Sequence, residues 1–170
     1  MRLARVMLAV GTQAVVCMQA VAGGPAANPA IEQAMMSLRA AEARAGDDAS
    51  RPVFHFRPPA QWMNDPNGVI HDRGSYHVFY QHNPYGDQWG HMHWGHARSR
   101  DLVHWEHLPI ALWPSEELGE AHCFSGCARV NAGGVPMLFY TSVSGEAGKR
   151  PNEQWAATGG VDWVTWSKHE

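Results

Sequence analysis

The stretch QWMNDPNGV, residues 61–69, sets one carboxylate, Asp65, among two asparagines, a proline and a glycine, directly after Trp62 and Met63. Asn, Asp, Pro and Gly are the residues that turns select for backbone reasons, so local composition alone reads the segment as a turn. A carboxylate can also attack an electrophilic carbon. Three other groups invite chemistry. His91, His93 and His96 form an H-x-H-x-x-H pattern in which the first two share one face of a strand, as zinc ligands often do. Cys123 and Cys127 stand four residues apart; on an extended strand that is roughly 13 Å, beyond disulfide reach, and the expectation is two small buried thiols. Glu116, Glu117 and Glu120 make an acidic loop, expected to be solvated. No G-x-S-x-G elbow, phosphate loop or dinucleotide-binding glycine pattern occurs.

Short apolar runs punctuated by Gly, Pro, Asn and Asp must position these groups. Strands are predicted at 75–81, 92–99, 104–109, 123–130 and 135–143, each with aromatic or β-branched content. The second half echoes the first. Phe79-Tyr80 follows Gly74 as Phe139-Tyr140 follows Gly134, an offset of 139−79=60, and DLVHW (101–105) returns as DWVTW (162–166), an offset of 162−101=61. A repeat of about 60 residues holding about four strands matches one blade of a β-propeller, whose innermost strands line a central channel. In this alignment Asp65 corresponds to Ser125, because 125−65=60, and both start an innermost strand at the channel mouth. The second copy has neither proline nor asparagine there, so the position is not merely a turn that both copies need.

Upstream, residues 1–22 read as a secretory signal: Arg2 and Arg5, an apolar run from Val6 to Val21, and Ala20-Val21-Ala22 as small cleavage residues. Gly11, Thr12, Gln13 and Gln19 interrupt the run, which argues against a membrane span, and the expected location is secreted or periplasmic. Residues 23–52 form a leader with one helix over about 29–45, capped by Asn28, carrying Ile31, Met35, Leu38 and Ala41 on one face, and ending in a polar linker. The domain proper is 53–170. Formal charge is −3 with no Lys/Arg cluster, which leaves a nucleic-acid partner without electrostatic support. Eight Trp in 170 residues must fill a core or offer stacking faces to a ligand.

WMNDPNG (62–68), FYQHNP (79–84), WGHMHWGHARSRDLVHWEHLPIAL (89–112) and FSGCA (124–128) resemble family 32 of the glycoside hydrolases, the invertases, inulinases and levanases. The resemblance implies an all-β fold, the first two blades of a five-bladed propeller, and cleavage of β-fructofuranosidic bonds in sucrose, fructo-oligosaccharide, inulin or levan. It implies retention through two carboxylates about 5 Å apart. Carried over by motif, Asp65 is the nucleophile, Asn64 and Gln81 bond fructosyl hydroxyls, Trp62 and Trp89 wall the sugar, and Phe124 and Ser125 close another side. Trp94, Trp105 and Trp113 are read as structural. The family implies no metal and no cofactor, which also accounts for the histidine pattern.

The chain departs from the family pattern at Cys127, where a small residue is usual, and at His122, where glycine is frequent. The family's Arg-Asp-Pro and Glu-Cys motifs, which carry the transition-state stabiliser and the acid/base, do not occur in these 170 residues. The expectation is therefore a fragment that carries the nucleophile and lacks the acid/base; the alternative is a vestigial, non-catalytic fructan-binding module.

Overall fold

The computed structural model describes residues 28–145 and 150–169; the segment read as a signal, residues 1–22, lies outside them. Helix α1 (Pro29–Gly46) begins as expected: the Asn28 side chain accepts from the Ala30 and Ile31 N–H groups, which the first turn leaves without intrahelical partners. Ala34 and Leu38 are buried with Ile110, and Ile31 and Met35 pack beside them. Among the described residues no helix is long and apolar enough to cross a membrane.

Two four-stranded antiparallel sheets follow. The first is β1 (Trp62–Asp72), β2 (Ser75–Asn83), β3 (His93–Ser99) and β4 (Trp105–Leu112), paired in that order. The second is β5 (Glu120–Val130), β6 (Pro136–Ser144), β7 (Glu153–Gly159) and β8 (Trp166–His169), again in chain order. The repeat inferred from the sequence is thus a repeated sheet, since β2 and β6 start 136−75=61 residues apart and β3 and β7 start 153−93=60 apart. The second anchor has a local cause. Asp101 Oδ1 accepts from the Val103 and His104 N–H groups, Asp162 Oδ1 accepts from the Val164 N–H, and Leu102 and Trp163 both take left-handed φ, at 64° and 63°. Strands β7 and β8 were not among the predicted strands: Glu153 and Gln154 in β7 and Ser167, Lys168 and His169 in β8 weaken the apolar pattern, and pairing of β7 with β6 and of β8 with β7 sets them instead.

The core lies between the sheets. Phe79, Trp94 and Leu112 from the first meet Leu138, Tyr140, Ala157 and Trp166 from the second, with Trp163 and Cys123. Trp94 is fully buried, as read, whereas the paired-thiol expectation fails by half: Cys123 is buried and Cys127 is exposed. The reason is a bulge. Cys123 pairs with Ser142 and Cys127 with Phe139, so four steps on β5 match three on β6, and the side chains land on opposite faces.

Several histidines are built into this core uncharged. His77 Nδ1 and His96 Nε2 share one hydrogen bond at 3.0 Å, with Trp163 stacked on the first ring and Phe79 on the second. Burial lowers His77 and His82 to about 4 and His93 to about 3, against a usual value near 6.5. A depressed histidine leaves the unfolded chain holding more protons between the two values, so stability is present above the unfolded pKa and is lost as pH falls. The melting temperature should therefore drop steadily from pH 6.5 to pH 4. A flat or rising profile over that window would contradict the neutral assignment.

Candidate active site

β1 runs through the whole NDPNG segment, so it is a strand and not a turn. Its register explains the turn-like composition. Met63 pairs with His82 and Pro66 with Tyr80, so three steps on β1 match two on β2, and Asn64-Asp65 carry the extra residue. Proline is tolerated at such a bulge because no ladder N–H is needed. The same irregularity recurs in β5, between Phe124 (opposite Thr141) and Gly126 (opposite Tyr140), and Ser125 is the extra residue. Bulges re-aim side chains, and these two aim at each other: Ser125 Oγ donates to Asp65 Oδ2 at 2.9 Å. The alignment of Asp65 with Ser125, read from a 60-residue offset, is a direct contact.

Close approach of β1 to β5 makes that contact reachable. A second register shift, between Asn67 and Ile70, holds Gly68 at φ 50°, where a Cβ would meet Phe79 Cδ2 at 3.0 Å and Ala128 Cβ at 3.1 Å. Gly126 is still tighter, since a Cβ would lie 1.9 Å from the Phe139 carbonyl oxygen. Both glycines are needed for space, and the first for conformation as well.

The remaining predicted residues gather around this pair in two groups. The Trp62 indole N–H donates to Asn64 Oδ1 at 2.9 Å, which orients the amide and leaves its Nδ2 for a ligand. Gln81 is buried; its Nε2 donates to the Cys123 carbonyl at 2.8 Å, stitching β2 to β5, and its Oε1 takes no donor among the described residues. Trp89 is 54% exposed and its ring lies 6.2 Å from that of Phe124, itself part-exposed. Asp65 is exposed. A carboxylate open to solvent, flanked by an amide with free donors and two accessible aromatic faces, can attack a carbon held against it and can bind a polyol.

Two residues of this framework carried no role in the sequence reading. His82 Nδ1 bonds the Trp62 carbonyl at 2.7 Å, anchoring the start of β1. Asn83 donates from Nδ2 to the Gln88 carbonyl and accepts from the Tyr85 N–H, shaping the loop that presents Trp89. Both are buried polar residues at the end of β2, directly after the apolar run Val78-Phe79-Tyr80 and Gln81, and that position is the signal that could have found them. The histidine triplet does not converge: His96 faces His77, and His93 bonds the His91 carbonyl. Among the described residues no group of three or more His, Cys, Asp or Glu could hold a metal ion.

The model for the glycosyl hydrolases family 32 N-terminal domain matches residues 55–170. The chain belongs to that family. Among its relatives, the family 32 chain is 58% identical over 90 residues to sucrose-6-phosphate hydrolase of Zymomonas mobilis, covering 53% of this chain and 17% of that protein. It is 56% identical over 95 residues to levanase of Bacillus subtilis, covering 56% of this chain and 14% of that protein. Its structure matches the family 32 β-fructofuranosidase of Bombyx mori with TM-score 0.72 at 38% identity, over 83% of this chain and 29% of that one. A variant of the same silkworm protein has been solved in complex with sucrose. The family 32 chain thus spans about a sixth of the length of the first curated relatives it matches.

Proposed function

We propose that this chain is the nucleophile-bearing part of a retaining β-fructofuranosidase, its two sheets being the first two blades of a five-bladed propeller. The observation that carries the reading is the Ser125–Asp65 contact, made by two equivalent bulges on the adjoining edge strands β1 and β5. Asp65 attacks the anomeric carbon of a fructosyl unit and the leaving oxygen takes a proton; water then releases fructose from the ester. The Ser125 hydroxyl bonds one carboxylate oxygen and so fixes the orientation of the Asp65 carboxylate. Asn64 Nδ2 and Gln81 Oε1 bond fructosyl hydroxyls, and Trp62, Trp89 and Phe124 wall the ring. Glu120 is not the acid/base, because it is buried against Lys168; the family's Glu-Cys motif holds that role. On this reading residues 1–22 direct export, and the substrate is sucrose, a fructo-oligosaccharide, inulin or levan.

Stereochemistry tests the mechanism. NMR of the first product formed from sucrose by the full-length protein should show β-fructose, the retained anomer, before mutarotation. First appearance of α-fructose would mean a single displacement and would remove Asp65 from the nucleophile's role. Sugar binding with no fructose released would favour the vestigial binding module instead.

A further inference from the structure

An open cavity of about 970 Å³ adjoins the candidate active site. Trp89 and His122 form part of its wall and the 3₁₀ turn Glu116–Leu118 its rim. Trp89 connects the two regions, because its ring contacts both His122 (5.0 Å) and Phe124 (6.2 Å), and Phe124 precedes the Ser125 that bonds Asp65. Trp89, read above as a wall of the fructosyl site, therefore also lines this cavity.

The charges lining the cavity can be followed one at a time. Glu120 is buried against Lys168. Arg150 pairs with Glu153 at 2.9 Å, donates to Ser142 Oγ, and lies 5.0 Å over the Trp155 ring. Glu116 and Glu117 are exposed and make no ion pair among the described residues. The Met92 N–H donates to His122 Nδ1 at 3.2 Å, so the neutral ring carries its proton on Nε2, and burial favours that neutral form. Among the described residues no group bonds Nε2, and it is not among the buried unpartnered atoms, so this N–H is open to the cavity. Among the described residues the lining thus offers a flat indole face, an N–H donor on His122 and two carboxylates without an ion pair, with the His91 ring beside them.

Resting on the fructosidase reading above, we propose that this cavity is the leaving-group subsite and that it selects an uncharged sugar over one bearing a phosphate monoester. Trp89 stacks on the C–H face of the sugar, the His122 Nε2–H donates to a hydroxyl, and Glu116 and Glu117 accept from hydroxyls while repelling a phosphate dianion. Repulsion between exposed charges is screened within about 10 Å at 0.1 M salt, so the selectivity must weaken as salt rises.

The test compares sucrose with sucrose 6-phosphate, using the full-length protein at pH 7.5. We expect kcat/KM for the phosphorylated sugar to be lower by about tenfold at low salt, and the gap to shrink at least about threefold in Glu116→Gln/Glu117→Gln and in 0.5 M NaCl. Equal or faster turnover of the phosphorylated sugar, or a ratio unmoved by the double substitution, would overturn the inference. Calorimetry with Asp65→Asn separates it from the fructosidase reading. Preferential binding of sucrose by that variant supports the subsite even if the parent hydrolyses neither sugar, whereas equal binding of both, or binding of neither, overturns it.

Discussion

Asp65→Ala in the full-length protein should lower kcat for sucrose by about 10⁴-fold or more, since no covalent intermediate can form without the attacking group. Such a loss is interpretable only if the variant folds, which the exposure of Asp65 predicts. Asp65 is exposed, and its side-chain partner among the described residues is the equally exposed Ser125, so the melting temperature should stay within about the range of a neutral surface change, under roughly 0.5 kcal/mol. Ser125→Ala removes a hydrogen bond to the nucleophile and not the nucleophile, so its kcat lies between the two. A parent-like kcat in Asp65→Ala would end the assignment, while loss of folding would show that the bulge, and not the chemistry, requires the residue.

The largest expected effect on stability lies away from Asp65. Lys168 on β8 and Glu120 at the start of β5 form an ion pair with side chains only 2% and 0% exposed. The ammonium also donates to the Trp113 carbonyl at 2.8 Å and to Ser115 Oγ at 2.6 Å, and stands 5.4 Å above the Trp113 and Trp155 rings. It therefore ties the fourth strand of the second sheet to the connector between the sheets. Lys168→Met leaves a buried carboxylate without its counter-ion and should cost about 3–5 kcal/mol, measured by denaturant unfolding. Glu120→Leu/Lys168→Met removes both charges and should recover most of that loss, because desolvating the pair offsets much of its attraction. A single substitution that costs under about 1 kcal/mol would mean that water reaches the pair.

Much of this molecule is legible in its residues, for physical reasons that can be named. Asn28 and Pro29 mark the start of α1 because capping chemistry is local. Phe79-Tyr80 and Phe139-Tyr140 reveal the doubled sheet because each pair spans both faces of a second strand. The bulges were hidden, since an extra residue in a strand uses the same Asn, Pro and Gly that a turn uses, and only the partner strand's register tells them apart. For the same reason the exposure of Cys127 could not be read from its spacing to Cys123. Gln81 is named for ligand contact in the sequence reading, yet half of its amide is occupied by the Cys123 carbonyl, a contact 42 residues away in the chain that no local pattern encodes. The pairing of Lys168 with Glu120 is equally non-local.

The central claim is a covalent bond between Asp65 and fructose. Acid-quenching the full-length enzyme during sucrose turnover, followed by peptide mass spectrometry, tests it most directly. The account predicts one fructosyl adduct on the peptide that contains Asp65, absent from Asp65→Ala. An adduct on a different residue, or turnover with no adduct in an enzyme whose deglycosylation has been slowed, would contradict it.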